Sequence, residues 1–162
     1  MALEYQNTVN DRKALEYLKK AIDTWPHHYK AHFAYANFLT RNSRSFGEAI
    51  DHYLLGLEEA GDKISEKEKA SCHYKVAELF ESRNHLKEAI KHYIIVRDLD
   101  PVSYPETKER IVNAYLAMAL DKSVTSFRER EEFLKQAVEV DEYALGPRFA
   151  LAYLYYESGN IE

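Results

Sequence analysis

Apolar and small residues return along this chain in two alternating helical patterns. One reads small-x3-large: Ala14-x3-Leu18, Ala49-x3-Tyr53, Ala89-x3-Tyr93 and, with the small residue replaced, Arg130-x3-Leu134. The other is offset from it: His32-x2-Tyr35-Ala36-x2-Leu39, His73-x2-Val76-Ala77-x2-Phe80, Ile111-x2-Ala114-Tyr115-x2-Met118 and Arg148-x2-Leu151-Ala152-x2-Tyr155. Steps of three and four residues put the apolar side chains of each stretch on one face of a helix. Their alternation predicts antiparallel helix pairs over 28–42 with 46–60, 65–83 with 86–98, and 104–121 with 127–140. A helix at 11–24 precedes them, and one at 144–158 follows without a partner.

The punctuation agrees with these boundaries. Each small-x3-large stretch is followed by a breaker or its substitute, at Pro26, Gly61, Pro101 and Glu142, so the unit ends fall 35, 40 and 41 residues apart. A period of this size signals stacked repeats, each burying its apolar face against the next, rather than one closed core. Asn42-Ser43 and Asn84 separate the members of a pair, and Gly159-Asn160 ends the last helix. Ser65-x2-Glu68 reads as a capping box, and Pro101, Pro105 and Pro147 stand where helices stop or begin. The organisation expected is one array over 1–162, with a partial unit at 1–27, units at 28–62, 63–103 and 104–143, and a partial unit at 144–162.

The double pattern resembles the tetratricopeptide repeat (TPR) family. Residues 70–101 match it best, through His73, Val76, Ala77, Phe80, Asn84, Leu86, Ala89, Tyr93 and Pro101. The resemblance implies an all-α fold, a right-handed superhelical solenoid of antiparallel helix pairs, and the role of a protein-protein interaction scaffold or adaptor. Two positions depart from it. Tyr115 and Arg130 stand where the family prefers small residues, so the third pair is expected to pack more loosely or at an altered angle. Ala2 and Tyr5 read as the tail of a first helix, and a family unit would continue past Glu162. The chain therefore reads as an excerpt of a longer array, or as one whose open terminal helices self-associate.

Charge narrows the partners. The 22 Lys and Arg against 27 Asp and Glu give a formal charge of −5, with no basic run. That opposes RNA binding, an activity known in some family members, because phosphate contacts need clustered cations. No stretch approaches the ~18 apolar residues of a membrane span, and residues 1–10 carry no basic segment followed by an apolar one. Cys72 is the only cysteine, which rules out an intrachain disulfide. The expected setting is cytoplasmic, away from membranes.

Candidate chemistry is sparse. The chain lacks GxSxG, GxxxxGK[ST], GxGxxG and HExxH patterns, and its five glycines leave little for a phosphate-cradling loop. His28 and His32 stand at i,i+4, but His32 and His73 occupy the register of a large packing residue, so packing is favoured over metal ligation. Cys72 and His73, adjacent on a helix, point about 100° apart and do not form a nucleophile-base pair. No catalytic residue, cofactor or metal is expected. An alternative is a regulatory or ligand-sensing segment of a larger enzyme.

The aromatic content remains, with 13 tyrosines. Tyr35, Tyr53, Tyr93, Tyr115 and Tyr155 fall on packing positions of the repeat. In the family, residues following the large packing position on the inner helices line a concave groove. Carried onto this sequence these are Phe33, Asn37, Tyr74, Glu78, Val112, Leu116, Phe149 and Tyr153, with Tyr156 further along. The expectation is that a partner peptide or helix anchors large side chains there. The carboxylate clamp by which some members hold chaperone tails does not fit. Asn37 matches it, but Phe33 replaces a Lys, Lys75 an Asn, and Glu109 and Asn113 a Lys and an Arg.

Overall fold

The computed structural model describes residues 9–41, 45–121, 123–124 and 126–159. The described residues form α1 (Val9–Thr24), α2 (Tyr29–Leu39), α3 (Phe46–Ala60), α4 (Glu66–Ser82), α5 (Leu86–Leu99), α6 (Thr107–Leu120), α7 (Phe127–Val140) and α8 (Leu145–Ser158), with one 3-10 turn at Gly61–Lys63. No strand occurs among them. The predicted helices are recovered within a few residues. The largest shifts are at the end of α2, expected to 42 and found to Leu39, and at the start of α6, expected from 104 and found from Thr107. The Thr107 hydroxyl donates to the Tyr104 carbonyl at 2.6 Å, and Pro105 keeps the preceding residue out of the helix. The helix tail expected at Ala2 and Tyr5 and the Asn42-Ser43 separator lie outside the described residues.

Local signals set the ends. Ser65 and Glu68 form the reciprocal capping box: the Ser65 amide donates to the Glu68 carboxylate at 2.9 Å, and the Glu68 amide to the Ser65 hydroxyl at 3.3 Å. The Ser65 amide, together with the Ser65 hydroxyl that donates to the same carboxylate at 2.8 Å, holds the Glu68 carboxyl below the usual carboxylate range. Asn84 stops α4 in the left-handed conformation at φ 59°, which Asn tolerates better than most residues.

The chain divides by its contacts into two compact units, the first reaching Leu79 and the second beginning at Phe80. In the first, α1 packs on α2 and α2 on α3. Its buried side chains include Tyr35, Ala36, Leu39, Ala49, Ile50 and Tyr53. In the second, α5 packs on α6, α6 on α7, and α7 on α8, while α8 also touches α6. The helix expected to lack a partner is therefore packed on its inner side.

The loosened third pair is not what the structure shows. Ala119, Leu134 and Ala137 are fully buried between α6 and α7, and Tyr115 packs at the edge of this cluster. Arg130 adapts instead of prying the helices apart, because its Nε donates to the Ala119 carbonyl at 2.9 Å. A long, flexible stem lets the guanidinium reach a carbonyl that the end of α6 leaves open.

Candidate functional site

In the first unit the predicted contact residues divide, with Phe33 and Tyr74 half-buried and Asn37 and Glu78 exposed. Phe33 is half-buried over Gly56 of α3, where an added Cβ would lie 2.6 Å from its ring. Asn37 is exposed at its edge, yet its amide is engaged. Its Nδ2 donates to the Phe33 carbonyl at 2.8 Å, and its Oδ1 accepts from the Tyr53 hydroxyl at 2.7 Å and from Lys75 Nζ. Two of the positions weighed for a carboxylate clamp, Asn37 and Lys75, thus bond each other beside a buried tyrosine. Tyr74 is half-buried and Glu78 exposed on α4.

In the second unit the picture changes along the chain. Val112 is 5% exposed and belongs to the core. Leu116 is half-buried against the Ala119 cluster, with Gly146 of α8 close by. On α8, Phe149 is 71%, Tyr153 60% and Tyr156 68% exposed, and Leu145 joins them at 68%. Positions 145, 149, 153 and 156 follow steps of four, four and three, so these side chains form one stripe along α8. Repeat register alone does not single out Leu145, although it stands one turn before Phe149. The Tyr153 phenol is held above its usual range by a hydrogen bond to the Glu157 carboxylate.

Large apolar patches left exposed are uncommon on monomeric proteins. Aromatic rings bring large contact area with few rotatable bonds. The opposite side of α8 is fixed: Leu154 is buried, and the Tyr155 hydroxyl donates to Glu131 of α7. The stripe therefore has a rigid base.

Elsewhere the second unit carries a charged knot that composition could not show. The Tyr93 hydroxyl donates to Glu81 Oε2 at 2.7 Å, and Arg110 Nη1 reaches Glu81 Oε2 at 2.7 Å and the Tyr93 oxygen at 3.0 Å. Burial, then the bond to Glu81, pushes the Tyr93 phenol above its usual range. One guanidinium thus ties the end of α4, α5 and α6 together. Arg110→Met should cost about 1–2 kcal/mol of stability by leaving Glu81 without its cation, discounted because both side chains are about a third exposed. Denaturant unfolding checks it, and Arg110→Lys should recover only part, since it keeps the charge but not the planar guanidinium that lies against the Tyr93 ring.

The residues weighed for chemistry take structural places. Burial pushes the Cys72 thiol up to about 11, away from reactive thiolate. His28 caps α2 by accepting from the Ala31 amide at 3.2 Å, and His32 is buried. Among the described residues no group of three or more His, Cys, Asp or Glu side chains is placed to hold a metal ion. An open cleft of about 340 Å³ in the second unit is lined by Leu86, Lys87, Met118, Val124 and Phe133 among others, with Lys87 Nζ 5.6 Å from the Phe133 ring centre. None of the predicted contact residues lines it. No described helix is long and apolar enough to cross a membrane.

No protein-family profile matches the chain. No curated protein matches it in sequence either. Solved structures do match in fold. MamA superposes with a TM-score of 0.56 at 13% identity, over 98% of this chain and 86% of that one. The nearly identical TPR-like repeats of a putative Podosopora anserina kinesin light chain give 0.53 at 15% identity, over 96% of this chain and 82% of theirs, and a single-residue variant of those repeats gives 0.54. With helix pairs, capping and buried register positions in agreement, the fold of this chain is the TPR-like helical repeat.

Proposed function

We propose that this chain is a protein-interaction module whose working surface is the α8 stripe, and that its partner presents an amphipathic helix. The carrying observation is the row Leu145, Phe149, Tyr153 and Tyr156, exposed at helical register on a helix whose other side is packed. A partner helix with apolar residues at matching steps would bury these rings. The formal charge of −5 favours a protein ligand over nucleic acid. Phe33, Asn37 and Val112 support the scaffold rather than the contact, while Tyr74, Glu78 and Leu116 stand at the edge of this reading.

The double substitution Phe149→Glu/Tyr153→Glu should weaken capture of the partner by about 2 kcal/mol or more, because exposed aromatic anchors carry a disproportionate share of binding energy. The melting temperature should stay near that of the parent, since both side chains already face solvent. A photo-crosslinking phenylalanine analogue at Tyr153 should trap the partner's helix, while the same analogue at the exposed Glu58 of α3 should not. Equal trapping at both positions, or unchanged affinity in the double variant, would remove the stripe from the function.

A further inference from the structure

A different device lies at the seam of α2 and α3. His32 is 1% exposed. Its Nε2 stands 2.7 Å from the Pro26 carbonyl oxygen, and its Nδ1 stands 2.8 Å from Nδ1 of His52. A carbonyl only accepts, so His32 Nε2 bears a hydrogen, and in a neutral ring its Nδ1 is bare. The hydrogen between the two Nδ1 atoms then belongs to His52. The loop carbonyl of Pro26 thereby sets opposite tautomers on the two rings, whose centres lie 5.1 Å apart with 21° between planes. The Tyr35 ring meets His52 edge to face at 4.7 Å.

This arrangement has room for one proton between the rings and none for a second. If both imidazoles are charged, two N–H groups and two positive charges face each other across the 2.8 Å gap. We propose that the His32–His52 pair is an acid-released latch on the α2–α3 hairpin, closed while the pair holds at most one extra proton and forced open when both rings are protonated.

The surroundings decide the sign. On α3, Glu48 and Asp51 face His52 and favour its charged form, although Glu48 is shared with the Tyr35 hydroxyl at 2.6 Å. From α1, Lys19 lies 6.0 Å from the Tyr35 ring centre. In the loop before α2, His27 pairs with Glu59 at 2.8 Å, and His28 caps the helix. From α4, Lys75 engages Asn37 rather than the pair. Burial, then the neighbouring His32, outweighs the two carboxylates and holds His52 below its ordinary value of 6.5. A histidine whose folded value is lowered binds fewer protons folded than unfolded. Its contribution is therefore complete above the ordinary value and is lost as pH falls through it toward the folded value.

The test uses the whole chain. At neutral pH, long-range proton–nitrogen spectra should show His32 as the Nε2–H tautomer and His52 as the Nδ1–H tautomer. Hydrogen-exchange protection of α2 and α3 amides, corrected for intrinsic rate, should fall about tenfold or more between about pH 7.5 and 5. His52→Gln keeps an amide donor for His32 and can turn its oxygen toward the ring once His32 is charged, so its fall should stay within about threefold. His92→Gln removes the other buried-shifted histidine, which stacks on Phe80 at 5.7 Å in the second unit. It should leave the α2–α3 response unchanged. An equal fall in wild type and His52→Gln overturns the latch, as does finding both rings in the same tautomer, a readout that needs no variant to fold.

Discussion

Leu134→Ala should remove about 3 kcal/mol from the stability of the second unit. Leu134 is 1% exposed in a cluster that joins Ala119 of α6, Phe133 of α7 and Leu154 of α8. Three helices bound the hole that the truncation leaves, so closing it by moving one of them opens a gap against another. That is why the cost should exceed simple transfer of the lost methyl groups. Leu134→Met keeps volume and should cost less than about 1.5 kcal/mol. Denaturant unfolding followed through the amides of α6, α7 and α8 measures both. A loss below about 1 kcal/mol for the alanine variant would mean that the three helices close the hole freely, contrary to a packed junction.

Gly56→Leu should be comparably damaging in the first unit, by about 3 kcal/mol, for the opposite reason. A Cβ at this position would stand 2.6 and 2.7 Å from two carbons of the Phe33 ring and 3.3 Å from Cβ of His32. Even Gly56→Ala must displace the ring. Its gain of about 1 kcal/mol in helix propensity should roughly offset the mild end of overpacking, leaving it near neutral. Leucine has no such compromise, because its further carbons enter space that Phe33 and His32 already fill. Melting curves give the magnitude, and near-ultraviolet dichroism reports the ring. Parental stability in Gly56→Leu would show that Phe33 does not rest on α3 and would return it to the exposed surface.

The helices were legible because their signals are local. Apolar steps of three and four, the Ser65–Glu68 box and the breaker positions depend on neighbours along the chain, and the structure agrees with them to within a few residues. The candidate site was legible only in part. A repeat register says which way a side chain points, not what lies opposite. Val112 and Phe149 share one register, yet Val112 is covered and Phe149 open. Arg130 escapes the pattern for a related reason: its place in the repeat describes a Cα, whereas its guanidinium acts on the Ala119 carbonyl eleven residues away.

The partners of the tyrosine hydroxyls were not legible at all. Tyr35 donates to Glu48, 13 residues on; Tyr93 to Glu81, 12 residues back; and Tyr155 to Glu131, 24 residues back. No fixed offset unites these bonds, so a periodic reading treats the rings as packing and overlooks their oxygens. The His32–His52 pair is hidden in the same way, since His32 alone looks like a packing residue.

Those phenols have an optical consequence. Tyr35, Tyr53 and Tyr93 are all held above the ordinary phenol range by burial, and Tyr35 and Tyr93 also by the carboxylates to which they donate. A tyrosine absorbs differently once ionised, and these three resist ionisation while the helices stay together. In alkali, their near-ultraviolet absorbance should therefore change together with the loss of the seams rather than by simple titration, an optical signal of the fold itself.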